Sequence, residues 1–165
     1  MKKLNHILVC AFVLFFSYAF NGNVKAQQPT WESYSGYMSA ANSIMYKALG
    51  AMCHANYVAN AANNAGNSQH LNSRLNSLSV ALAGMQSNIA TLQSIPSSLA
   101  SPGLLEEISE ISNAYNLANN ALGACIYSFS SGAPVPGAAA NTVRDMLLAL
   151  KNAGPCIRRE IQEIV

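Results

Sequence analysis

His70–Ile95 reads HLNSRLNSLSVALAGMQSNIATLQSI, and its apolar residues decide the fold. They fall at Leu71, Leu75, Leu78, Leu82, Met85, Ile89 and Leu92. The spacing alternates four and three, which is a heptad seam along one face of a helix. Between them stand almost only Ser, Asn, Gln and Ala, with Arg74 the single charge. One narrow apolar stripe leaves a helix unstable alone, so the stripe needs other helices to cover it.

The same alternation recurs three times outward from this stretch. Upstream, Tyr34, Met38, Ala41, Met45, Ala48, Met52, Ala55, Ala59 and Ala62 form a seam of Met and Ala within a helix expected over 31–65. Small seam residues let a neighbour approach closely, and Met fills irregular gaps. Gly66 suits a C-terminal cap and Ser68 an N-cap for the next helix, expected over 69–95. Pro96 ends that helix, because proline disfavours helical geometry in the residue before it.

Downstream, Ser101-Pro102 offers a cap followed by proline in the first turn of a helix over 103–130. Its seam is Leu104, Ile108, Ile111, Tyr115, Ala118, Leu122, Cys125 and Phe129. Glu106 and Glu107 are expected in its first turn, where the helix dipole favours negative charge. SSGAPVPG at 130–137 has turn composition. The last helix, over 138–164, carries Val143, Leu147, Leu150, Gly154, Ile157, Ile161 and Ile164, and Gly154-Pro155 should kink or split it. Four seams joined by short connections predict an all-α, up-down-up-down four-helix bundle of long helices.

The chain begins with Lys2-Lys3, an apolar core from His6 to Phe20 and small or compact residues before Ala26. This is the pattern of a signal peptide, residues 1–26, cleaved after Ala26; the apolar core is shorter than the roughly 20 residues a spanning helix needs. The product, Gln27–Val165, would be a single helical-bundle domain, secreted or periplasmic, with no stable membrane span. Loss of Lys2, Lys3 and Lys25 leaves six basic against seven acidic residues. The mature chain is thus close to neutral, and its one basic pair, Arg158-Arg159, is offset by Glu160 and Glu163, which argues against nucleic-acid binding.

Export permits disulfides. Cys53, Cys125 and Cys156 remain after cleavage and allow three single pairings, each leaving one odd thiol. Cys53–Cys156 is favoured because the first and last helices are neighbours, with Cys53–Cys125 next. Residue counts leave an axial offset of about 9 Å, so helix boundaries must shift for either bridge to close.

Little in the sequence points to chemistry. His54 and His70 are the only histidines of the mature chain, and no His-x3-His, Cys-x2-Cys or Glu-x-x-His spacing occurs in it. No catalytic, cofactor-binding or metal-ligating residues are therefore assigned. Glu106, Glu107 and Glu110 read as a solvated helix start. The residues favour a non-enzymatic exported bundle acting by contact with a protein partner or by self-assembly. The alternative is a carrier of an apolar ligand or haem, with Met38, Met45, Met52 and Met85 lining an interior cavity and Met or His as haem ligands.

Overall fold

The computed structural model describes residues 30–64 and 69–164. The expected signal peptide and its cleavage site lie outside the described residues, as do Gly66 and Ser68. The described chain is all-helical: α1 (Trp31–Asn63), α2 (Leu71–Gln93), α3 (Pro102–Ser130) and α4 (Gly137–Ile164). Trp31–Val165 forms one compact unit.

The helices close a ring. α1 packs against α2 and α4, α4 packs against α3, and the α2–α3 seam is the least extensive. The diagonal pairs, α1 with α3 and α2 with α4, do not meet. Cross-links between neighbours accompany an antiparallel run of adjacent helices. Asn63 Nδ2 donates to Asn141 Oδ1 at 3.1 Å, at the end of α1 and the beginning of α4. Lys47 Nζ donates to the Gly84 carbonyl at 2.6 Å, and Gln93 Nε2 donates to Ser112 Oγ at 3.0 Å. This is the four-helix bundle expected from the seams.

The ends of α2 and α3 differ in their local chemistry, and the N-cap of α2 is His70, two residues beyond the expected Ser68. Ile95 is buried just beyond α2, and Pro96 follows it. His70 occupies the N-cap of α2 without a side-chain capping bond. Ser101 caps α3: its Oγ accepts from the Leu104 amide at 2.9 Å and donates to Glu160 Oε2 on α4 at 2.7 Å. One hydroxyl thereby satisfies an orphan amide and ties α3 to α4. At the other end of α3, Gly132 adopts φ 74°, and the amides of Gly132 and Ala133 donate to the carbonyls of Phe129 and Ser128. That is a Schellman closure, and its left-handed residue suits glycine.

The α2 seam is buried at all seven expected positions. In α4 the buried line runs Ala140, Val143, Leu147, Leu150, Gly154, Ile157 and Ile161, and Pro155 does not split the helix. Pro155 is exposed, so its missing amide and its ring fall on the solvent side. In α3, Ala114 takes the inner place expected of Tyr115, which is half-buried with Phe129. Glu106 and Glu107 stand in the second turn of α3, because the helix already begins at Pro102.

The main departure is α1. Its buried residues are Ala40, Ala41, Ile44, Ala48, Ala51, Ala55, Val58 and Ala59, while Met38, Met45 and Met52 are only half-buried. The helix is turned so that Ile44, Ala51 and Val58 join the alanines and the methionines flank them. α1 packs against both α2 and α4, and its many alanines give it a wide, shallow buried face. Its alanines share one buried core with the large side chains of α2, and small residues beside large ones are how a core is filled.

Candidate functional site

The three described thiols are all free: Cys53 exposed, Cys156 half-buried and Cys125 buried. The register of the bundle explains why the favoured bridge is not formed. Gly154 of α4 lies against Ala41 and Met45 of α1, which puts Cys156 about level with residue 42. Cys53 stands about ten residues further along α1, an axial gap of about 15 Å and well beyond disulfide reach. Cys53 and Cys125 lie on the diagonal helices α1 and α3, which do not meet.

Burial pushes the Cys125 thiol up from 9.0 to about 11. Its protonated form contributes stability that is complete below pH 9 and is lost as the pH rises towards 11. Stability should therefore fall across that alkaline window. A maleimide or aromatic disulfide reagent should label Cys53 first and Cys156 more slowly. Cys125 should react only after unfolding. Equal labelling of Cys125 and Cys53 in the folded protein would contradict this placement.

The two described histidines are separated. His54 Nδ1 accepts from Arg74 Nη1 at 2.9 Å, and the Arg74 guanidinium lies 5.4 Å from the Tyr57 ring centroid. His70 is exposed at the start of α2. Among the described residues no group of three His, Cys, Asp or Glu is placed to hold a metal ion. Glu107 titrates above the usual carboxylate range, through partial burial first and then through Glu110, Glu160 and Glu106, with Arg159 opposing. Electrostatics there thus join the start of α3 to the end of α4.

The methionines do not converge. Met85 is fully buried in the core, Met45 packs on Gly154 and Met52 lies at the core margin. Met38 alone of the four lines a groove of about 560 Å³ between the beginning of α1 and the end of α4. Trp31, Tyr34 and Met38 give it an apolar wall from α1, and Ile161 and Gln162 close it from α4. Ser35, Ser39 and Asn42 supply its polar positions. Its volume falls within the roughly 300–1,000 Å³ of small-molecule sites.

No family model, curated protein or solved structure matches this chain.

Two buried polar atoms lack partners: Asn42 Oδ1, on a residue of the groove's α1 wall, and Arg158 Nε on α4, which does not line the groove. Arg158 stands one turn before Gln162 on the flank of α4 that meets α1. Neither residue belongs to a seam, so heptad reading passes over both. The sequence signal that was available is Trp31, the single tryptophan, followed at helical spacing by Ser35, Met38 and Asn42. That second stripe becomes a wall only when α4 is laid beside it. No helix among the described residues is long and apolar enough to cross a membrane.

Proposed function

We propose that this is an exported, non-enzymatic helical-bundle protein that acts by protein contact or by assembly at the cell exterior or in the periplasm. The observation that carries this reading is a run of exposed apolar side chains on the outer face of α1. Tyr46 is 64% exposed and Leu49 51%, and Cys53 follows one turn later on the same face. No Asp, Glu, Lys or Arg occurs between Lys47 and Arg74, and Lys47 is turned towards α2. Water is a poor solvent for such a face, and aromatic and aliphatic residues with few charges nearby suit the centre of a protein interface.

The outer face of α2 adds an uncharged surface. Ser73, Asn76, Ser79, Gln86 and Ser87 are exposed there around Val80, itself 74% exposed. A surface of this kind offers little like-charge repulsion to an approaching partner.

The test uses the exported product from its own source. Its mass should correspond to a chain beginning at Gln27, and its native mass should exceed one chain or include a co-purifying protein. The double variant Tyr46→Ser, Leu49→Ser should remove the higher mass while preserving helicity. A single-chain native mass in both wild type and variant, with no partner cross-linked at Leu49, would refute the contact reading.

A second reading, a carrier of an apolar ligand, is favoured by the groove between α1 and α4. The ligand would lie there and not among the packed core residues. Neither His54 nor His70 lines the groove, so it has no histidine to offer haem iron.

A further inference from the structure

We propose that the outer face of α1 pairs with the same face of a second copy of this chain across a two-fold axis, and that a disulfide between the two Cys53 thiols fixes the pair. This rests on the contact reading and names its partner.

The outward side chains of α1 repeat the spacing of an interhelical seam. Ser39, Tyr46, Leu49, Cys53, Asn56 and Asn60 are all exposed and, from Tyr46 onward, follow one another by three and four residues. That is the alternation with which one helix covers another. Gly50 borders the strip, and a Cβ there would meet nothing within 4 Å. Its backbone is thus open to close approach from outside. The Cys53 thiol donates to the Gly50 carbonyl at 3.6 Å, which draws its sulfur along this face.

Two observations select a copy of this chain as the occupant. The first is charge. A two-fold axis lays a patch against itself, so a charge near the axis meets its own kind. The exposed strip carries none: Lys47 is turned to the Gly84 carbonyl of α2, and the next Asp, Glu, Lys or Arg is Arg74. Asn56 and Asn60 each bring a donor and an acceptor, so each is complementary to its own kind. The second observation is the thiol. Cys53 is exposed and has no thiol within reach in its own chain, whereas a second copy brings an identical one to the axis.

Area explains why a covalent bond is needed. From Ser39 to Asn60 the strip is about 32 Å long and about 10 Å wide, roughly 300 Å². A standard interface buries about 800 Å² on each partner, so the apolar contact aligns the copies and the disulfide holds them. An external disulfide accepts the electrons. One Cys53 thiolate attacks it, forming a mixed disulfide and releasing a thiolate. The second Cys53 thiolate displaces the remaining half and closes the S–S bond. Two thiols are oxidised, one disulfide is reduced to two thiols, and the released thiolates take up the two protons.

The experiment oxidises the purified, reduced protein with glutathione disulfide and follows intact mass without reductant. A species of twice the chain mass should form, its bridge should map to Cys53, and dithiothreitol should reverse it. Cys156→Ser should leave the rate unchanged. Tyr46→Ser combined with Leu49→Ser should slow bridging at least about tenfold, while maleimide labels Cys53 of that variant at the wild-type rate. Circular dichroism should show both variants fully helical.

If the double variant bridges as fast as the wild type, or the bridge maps to Cys156, the second-copy assignment is wrong while the contact reading stands. A different protein cross-linked at Leu49 in the source has the same meaning. A single-chain native mass from the source, with nothing cross-linked at Leu49, removes the contact reading as well.

Discussion

Gly154→Val is expected to destabilise the bundle by about 3 kcal/mol, at the upper end of the cost of overpacking a filled core. The thermal midpoint should fall by on the order of 10 °C. The cause is local and steric. A Cβ at residue 154 would lie 2.7 Å from Met45 Cβ and 3.4 Å from the Ala41 carbonyl oxygen. The first of these is the root of a side chain, which no rotamer change can move away, and the second belongs to the backbone of α1. Relief requires the two helices to separate where Ala41, Gly154 and Ile157 are buried.

The comparison that makes this test decisive is Gly123→Ala. Gly123 is also inside a helix, but a Cβ there meets nothing within 4 Å. The substitution should stabilise α3 by up to about 1 kcal/mol, since alanine exceeds glycine in helix propensity by that amount. Opposite signs at the two positions are the expected result. A stabilising Gly154→Val would mean that α1 and α4 do not cross as closely as described.

Leu82→Ala is the second large effect, an expected loss of about 2–5 kcal/mol from removing buried methyl groups and leaving a cavity. Leu82 is fully buried at the middle of α2. Val80→Ala, two residues away and 74% exposed, should change stability by less than about 0.5 kcal/mol. Urea unfolding measures both: the Leu82 variant should lower the midpoint with an unchanged slope, whereas Val80→Ala should superimpose on the wild type. Comparable losses at the two sites would show that α2 buries a different face.

The fold and much of its detail were legible before any coordinates. Period alone places the seven apolar residues of α2 inside, and all seven are buried. Ser101-Pro102 and Gly132 mark helix ends because capping is decided by a few neighbouring residues. Where the seam is made of large residues separated by polar ones, only one rotation of the helix covers it. α1 lacked that contrast. Its alanines occupy so many positions that several rotations bury similar area, and the choice fell to Ile44 and Val58 once α2 and α4 were both in place.

The candidate site was less visible than the fold, for a geometric reason. Trp31 and Asn42 on α1 are separated by most of the chain from Ile161 and Gln162 on α4, in two helices whose only relation is their tertiary register. Period says which residues face inward, but it does not say how far one helix is slid along another. That slide, set by Gly154 against Ala41 and Met45, separates Cys53 from Cys156 and lays the end of α4 beside the beginning of α1.

By itself, then, the sequence determined four helices, the capped start of α3 and the inward face of three of the helices, because these follow from local backbone preference and a repeating apolar stripe. The tertiary structure alone decided the rotation of α1, the free state of the thiols, which glycine is indispensable and where a groove opens. Each of these depends on distances between helices, and such distances are set by side-chain volumes at crossings that no single helix contains.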